Sequence, residues 1–405
     1  MKILFVSNLY PPNVCGGYER LCFSVADALA ARGHTIGVLT SSYGGKSAEY
    51  PGHRVWRSLF LFATENNIYE PFSVSPERRA DLNSVNVNQL HAVADEFKPD
   101  VVFVWNMYFF DAILLDAIER RFGDRAVYFV TDNWLISFFN GDFLGQYFPR
   151  VVFGTETDED VKHRGVPFAL RGRALFGSAY MERFYAAAGL RFASQEVIHN
   201  GVTLPDVPES RYRDRFLPVR RGALRLLFAG RIVDVKGVHL ILEALPLITA
   251  ALPDVAVSLD IVGDSQDEAY RARLDAIVER HGIAGMVRRR EPVGVDELFA
   301  LFQDHDIYLF PSLYEPFALT LIHALHAGVP TVASAVGGNT EIVHNRETGM
   351  LFRNNDAHDL ARAVLALHRE PLLRQRVARQ ARLVSSRFTF AHMVENIDRA
   401  LRAVS

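Results

Sequence analysis

Residues 225–237 read RLLFAGRIVDVKG, and this stretch decides what kind of fold the chain adopts. Arg225 to Ala229 is a mostly apolar run of strand length, Gly230 makes a turn, and a helical pattern opens at Gly237. A run without polar alternation belongs to a strand buried on both faces of a parallel sheet. The same opening stands earlier in the chain. Lys2-Ile3-Leu4-Phe5-Val6 leads into a glycine-bearing loop, Pro11 to Gly17, then a helical pattern from Tyr18 to Ala31. Gly33 stops that helix and Thr35 to Thr40 supplies the next strand. Strand, loop, helix and strand make a βαβ unit, so two α/β cycles follow one another.

Further strands of the first cycle are expected at Val101–Trp105 and Ala126–Val130, with a helix at Asp111–Arg121 between them. Val151–Phe153 and Ala174–Gly177 are weaker strand candidates. In the second cycle, strands are expected at Val255–Val262, Met286–Arg290, Ile307–Phe310 and Val329–Ala333. The stretch between the cycles is rich in Pro, Arg and Asp and reads as a linker. The expected division is therefore a domain over 1–203, a linker over 204–222, a second domain over 223–385 and a terminal helix over 386–405. Two doubly wound domains facing each other would offer a cleft at the C-terminal edges of their sheets, where ligands of α/β folds bind.

Bulk properties agree with such a chain. Its 405 residues exceed what one core usually organises, and 49% hydrophobic with 22% charged residues is an ordinary globular balance. A formal net charge of −3 gives no reason to expect a nucleic-acid partner. Arg288-Arg289-Arg290 reads as a solvated face near a strand, or as a weak attraction to anionic lipid. The two cysteines, Cys15 and Cys22, read as reduced thiols of a cytoplasmic protein. Met1 to Val6 runs into polar Ser7-Asn8 without a cleavage pattern and is not read as a signal peptide. The aromatic segment Trp134–Phe148 reads either as an acceptor or membrane contact or as a buried helix and loop.

Four loops carry candidate chemistry. Gly16 and Gly17, ahead of a helix, let backbone approach a bound group, with a helix N-terminus behind them to favour an anion; the plainer reading is a tight turn. Arg231 and Lys236 follow the second cycle's first strand, where two fixed cations suit a diphosphate; the plainer reading is a pair of surface charges. Phe310 to Pro330 reads FPSLYEPFALTLIHALHAGVP. There Glu315 can accept from sugar hydroxyls, and a helix expected to open at Pro316 and run to about Ala327 aims the amides of Phe317, Ala318 and Leu319 outward. Gly337-Gly338-Asn339 repeats the paired-glycine pattern. Asp304-His305-Asp306 has a metal-binding look, but it precedes a strand, the wrong end for a ligand site.

Together these segments resemble the retaining glycosyltransferases of family 4, most strongly from Leu226 to Phe352. The order GRxxxxKG, VGD, FPSxxEPF, AGVP, GGxxE and TGxLF is specific as a set, and Asn200-Gly201-Val202 matches the family's step before the linker. The resemblance implies a GT-B fold of two Rossmann-like domains, the first on the acceptor side and the second binding a nucleotide-sugar. It implies that Gly16, Gly17, Arg231 and Lys236 contact the donor diphosphate. Gly263 and Glu291 to Val293, Pro292 included, would lie near the nucleoside. Glu315 with Phe317, Ala318 and Leu319 would hold the donor sugar. No cofactor and no metal are expected.

Three positions depart from the family pattern. The second Glu, eight residues after the first and placed for the ribose, is here His323, whose neutral ring offers one donor and one acceptor. A His expected after a first-domain strand is replaced by Trp105-Asn106-Met107, with Asn106 the nearest polar substitute. Asp132, after the next strand, stands where it would face the acceptor. The expected function is transfer of a sugar, from UDP or GDP foremost, to a hydroxyl of a glycan, a lipid-linked saccharide or a small molecule. Peripheral contact with the inner face of a membrane is compatible with this. The alternatives are a nucleotide-sugar-binding protein without turnover and a sugar-nucleotide epimerase.

Overall fold

A computed structural model describes residues 1–64, 68, 72–139, 168–206, 222–265 and 267–404. These form two compact units. One takes the described residues of 1–199 together with 393–404, and the other takes those of 200–392.

The first unit holds strands β1 (Lys2–Val6), β2 (Thr35–Ser41), β3 (His53–Leu59), β4 (Val101–Val104), β5 (Ala126–Val130), β6 (Phe168–Phe176) and β7 (Leu190–Val197). They form one sheet in the order β3-β2-β1-β4-β5-β6-β7. Every pairing is parallel. The central strands β4 and β5 are buried throughout, which is why their sequences are unbroken apolar runs. The two edge strands lack that signature. His53-Arg54-Val55-Trp56-Arg57-Ser58-Leu59 is mostly half-buried and Leu190–Val197 is partly exposed, so neither stands out as an apolar run. The weak candidate Ala174–Gly177 is the end of the nine-residue β6, and Val151–Phe153 lies outside the described residues. A polar 22-residue helix, Pro76–Phe97, also escapes an apolar-pattern reading. Its start carries a helix signal all the same, with Pro at the first turn and Ser75 accepting from the Arg78 amide.

The second unit repeats the plan with β8 (Ala223–Ala229), β9 (Ala256–Val262), β10 (Val287–Arg290), β11 (Ile307–Phe310), β12 (Thr331–Ser334) and β13 (Met350–Phe352). Their order is β10-β9-β8-β11-β12-β13, again parallel throughout. In both sheets the strand order reverses beside the first strand, between β1 and β4 and between β8 and β11. Loops leaving those strands diverge at their C-terminal ends, and a doubly wound fold binds its ligand there.

At the chain's end a helix spans Phe390–Arg402. Within the first unit, its Asp398 takes a hydrogen bond from His34 at 2.9 Å, and Arg399 lies 3.3 Å from Glu196. Of the stretch 204–222, residues 207–221 lie outside the described residues, as do 140–148 of the aromatic segment. Trp134, Leu135 and Ile136 of that segment are buried in the helix Trp134–Phe139. Among the described residues no helix is long and apolar enough to cross a membrane.

Candidate functional site

At the β8–β11 switch point two loops lock together. After β8, Asp234–Lys236 form one turn of 3-10 helix and Gly237 closes it at φ 68°. A Cβ on Gly237 would sit 2.1 Å from the carbonyl oxygen of Pro311, on the loop after β11. Leu313 N–H donates to the Val235 carbonyl at 2.8 Å, stitching the same two loops. Only glycine allows this approach, and the approach brings Lys236 to Glu315.

Lys236 Nζ donates to Glu315 Oε2 at 2.5 Å, and Ser312 Oγ lies 3.3 Å from the same oxygen. The ammonium also sits 5.7 Å from the centroid of the Phe310 ring. Glu315 is only 7% exposed, so its buried oxygens depend on these partners for their hydrogen bonds. Its carbonyl accepts from Gly338 N–H at 2.9 Å, which sets the Gly337-Gly338 loop against it. Arg231, on the β8 loop, is exposed and makes no ion pair or hydrogen bond among the described residues. One loop thus offers a fixed cation and an uncommitted one.

The helix behind Glu315 spans Leu319–His326, with Ala318 as its N-cap residue. It begins three residues later than the expected start at Pro316. The Pro316 carbonyl is packed against Gly338, where a Cβ would come within 2.3 Å, and Ala318 still has extended backbone. The amides without a helical partner are therefore those of Ala318, Leu319, Thr320 and Leu321, so Ala318 and Leu319 of the expected set stand at the helix start and Phe317 precedes it. Phe317 and Ala318 are buried. His323 is half-buried in this helix. Burial, and secondarily the neighbouring His326, holds its ring below the usual imidazole value, so it is neutral near pH 7. Its Nδ1 is buried and finds no hydrogen-bond partner among the described residues.

Gly263 follows β9 at φ 147°, and its amide donates to the Arg290 carbonyl at 3.0 Å. A cavity of about 350 Å3 opens there, lined among others by Ile232, Gly263, Asp264, Arg290 and Glu291. Pro292 and Val293 follow on the same loop but are not among its lining residues. The arginine run is engaged locally. Arg288 grips buried Asp260 through Nε and Nη2 at 3.0 and 2.7 Å, and Arg289 pairs with Asp275 at 2.6 Å. The Asp304–Asp306 segment is likewise occupied by structure. Asp306 accepts from the Arg225 amide at 2.8 Å, and His305 bridges Leu301 O and Asp260.

The first unit gathers a separate group at its own switch point, between β1 and β4. The helix Gly17–Ala31 is capped by Gly16, whose amide donates to Glu19 Oε2 at 2.9 Å. Gly16 has extended backbone and Gly17 is helical, so neither needs glycine for its conformation. A Cβ on Gly17 would meet nothing within 4 Å, and one on Gly16 only Glu19 at 3.9 Å. The fold itself therefore requires glycine at neither position. Asn106 Nδ2 lies 3.4 Å from Glu19 Oε1. Glu19, 3% exposed, has no role in the sequence reading. Its spacing three residues after Gly16 was the available signal, that of a capping box. Cys15 is an exposed and Cys22 a buried free thiol.

Asp132 follows β5, its Oδ1 accepting from Trp134 N–H at 3.0 Å and its carbonyl from Tyr185 Oη at 2.9 Å. Burial pushes its carboxyl up to about 7 against that hydrogen bond, and the Glu19 charge adds to the rise. The folded chain then keeps a proton that the unfolded chain releases near pH 4. The stabilisation is complete below pH 4 and lost as pH rises through about 7. An Asp132→Asn variant is expected to gain in melting temperature on the wild type between pH 5 and pH 8. An unchanging difference would show that Asp132 titrates as an ordinary carboxylate.

Two family models match the chain, "Glycosyltransferase Family 4" over residues 15–205 and "Glycosyl transferases group 1" over residues 214–384. A glycogen synthase from Mycobacterium tuberculosis is 26% identical over 94% of this chain and 89% of its own length. A D-inositol 3-phosphate glycosyltransferase from Arthrobacter sp. is 32% identical over 45% of this chain and 43% of its own. Among solved structures, Anabaena HepE in complex with UDP and glucose aligns over the whole of both chains, with a TM-score of 0.65 at 20% identity.

Proposed function

The chain belongs to the family-4 glycosyltransferases of the GT-B type, and from that premise we propose that it moves a sugar from a nucleoside-diphosphate donor to a hydroxyl acceptor, with retention and without a metal. The observation that carries this reading is Lys236 held against Glu315 beside Arg231, which has no partner among the described residues. A diphosphate leaving group gains negative charge as the bond to the sugar breaks, and a fixed ammonium and a free guanidinium stabilise it where other folds use a metal ion. The buried Glu315 carboxylate accepts from sugar hydroxyls, and the amides at Leu319 to Leu321 add a positive end. In this mechanism the acceptor oxygen bonds to the anomeric carbon on the face the phosphate leaves. The acceptor proton passes to a phosphate oxygen. Gly263 and the cavity beside it take the nucleoside, and His323, a neutral ring, stands in place of the carboxylate expected at the ribose.

A second reading, a binding protein without turnover, draws on that same His323 in the place of a carboxylate. Melting the protein with UDP, GDP, ADP and TDP separates the two. UDP heads the panel because HepE binds it. A nucleotide at a hundred times its dissociation constant adds about 2.7 kcal/mol, a shift of several degrees for a unit of this size. One nucleotide is expected to stabilise the wild type, and a His323→Glu variant more so. Stabilisation without transfer or donor hydrolysis for any sugar would move the binding-protein reading to the front. No stabilisation of either form would leave the donor site without support.

A further inference from the structure

We infer that a cavity at the β2–β3 end of the first unit holds an uncharged, apolar ring system of the acceptor, an inference that rests on the transferase reading above. The cavity measures about 520 Å3, and its walls include Tyr43, Gly44, Gly45, Phe60, Leu61 and Phe72. That volume lies in the range of small-molecule sites. It stands beyond the C-terminal ends of β2 and β3, the edge of the sheet from which β1 leads to Gly16, β4 to Asn106 and β5 to Asp132.

A shared residue ties it to the glycine loop. Asn13, on the loop running to Gly16, is buried and donates to the Lys46 carbonyl at 2.8 Å. A Cβ on Gly44 would lie 2.7 Å from Asn13 Oδ1. The rim of the cavity and the loop expected at the donor diphosphate are therefore one packed surface.

The walls are built in advance. Buried Asn86 accepts from the Phe60 amide at 2.7 Å and donates to the Phe60 carbonyl at 2.9 Å. The Phe60 ring packs against Phe72 at 5.7 Å and Phe62 at 5.9 Å between centroids. Tyr43 Oη donates to the Thr64 carbonyl at 2.9 Å, which turns its ring rather than its hydroxyl to the space.

The chemistry of the lining selects the occupant. Among the described residues no charged side chain lines it. Arg57, on β3, spends its guanidinium on the carbonyls of Tyr10 and Pro11. A phosphate or carboxylate placed here would lose its water and find no counter-charge. A saccharide would leave most hydroxyls unpaired, because among the described lining residues Ser42 alone adds an uncommitted side-chain hydroxyl. An aromatic or alicyclic ring instead meets three ring faces, in offset or edge contact.

Fluorescence titration of the full chain with 2-naphthol, 2-naphthyl phosphate and maltose tests this, in the wild type and in Phe72→Ala and Ser42→Trp. Ser42 is exposed, so its tryptophan fills the mouth of the cavity without entering the core. Naphthol is expected to saturate the wild type, naphthyl phosphate to bind at least about tenfold more weakly, and maltose not to compete. Each variant weakens naphthol about tenfold or more, the worth of one good aromatic contact, while nucleotide stabilisation stays as in the wild type. Equal binding of naphthol and its phosphate, displacement by maltose, or naphthol binding untouched by both variants would overturn the inference. Failure of that kind with nucleotide stabilisation intact leaves the transferase reading standing. A naphthol site in a protein that no nucleotide stabilises sinks the transferase reading and the acceptor role with it.

Discussion

Lys236→Ala is expected to lower the turnover of sugar transfer by about a hundredfold or more, the usual cost of removing one preorganised charge-stabilising donor. The side chain cannot be replaced by a neighbour. Its ammonium is placed by the turn Asp234–Lys236, by the contact of Gly237 with Pro311 and by the carboxylate of Glu315 at 2.5 Å. That turn is itself held from outside, since Arg273 donates to Asp234 at 2.6 Å. Arg231, exposed and without such a frame, is expected to matter less, and Arg231→Ala should cost nearer tenfold. Loss of Lys236 also leaves Glu315 buried with Ser312 alone, at a stability cost of about 1–3 kcal/mol. Melting of the variant must therefore be followed beside its kinetics. A folded Lys236→Ala protein that keeps turnover within a few-fold of wild type would remove this lysine from the chemistry.

How far the sequence reveals this arrangement depends on where each residue sits in its sheet. Lys2–Val6, Val101–Val104, Ala126–Val130 and Ile307–Phe310 lie inside sheets, shielded from water on both faces, and their apolar runs announce them. His53–Leu59 and Leu190–Val197 form sheet edges, face water on part of their surface and carry the polar residues that hide them. The motif around Arg231, Lys236 and Glu315 is readable because each residue follows a central strand. Their pairing across 79 positions is not readable, since it rests on a glycine contact between two loops. The late start of the Leu319–His326 helix has the same origin, a packing constraint at Gly338 that local propensity does not contain. Glu19 illustrates the intermediate case. Its spacing from Gly16 marks a helix cap, but only the fold brings Asn106 to its other oxygen. The cavity at Tyr43, Phe60 and Phe72 is least legible, being assembled from the ends of two strands and the segment after them.

The dependence of the site on backbone contact leads to the largest expected effect on stability. Gly237→Ala should lower the stability of the second unit by about 3–5 kcal/mol. Part of this is conformational, because φ of 68° lies in the left-handed region that a side chain makes costly. The larger part is steric. The new methyl would stand 2.1 Å from the Pro311 carbonyl oxygen and 3.5 Å from Leu240 Cδ1, and a carbonyl at the end of a buried strand cannot swing aside as a flexible side chain can. The β8 and β11 loops must separate, which breaks the hydrogen bond from Leu313 to Val235 and withdraws Lys236 from Glu315. Gly285→Ala supplies the control in the same unit, since nothing lies within 4 Å of its Cβ position and its φ is ordinary. That variant should stay within about 0.5 kcal/mol of wild type. Urea unfolding of the three proteins, with nucleotide stabilisation measured on each, gives the comparison. If Gly237→Ala unfolds with the control, the two loops are not held by this contact. If it unfolds early yet retains full nucleotide stabilisation, the contact supports the fold without setting the donor site. The arrangement described here requires both to fall together.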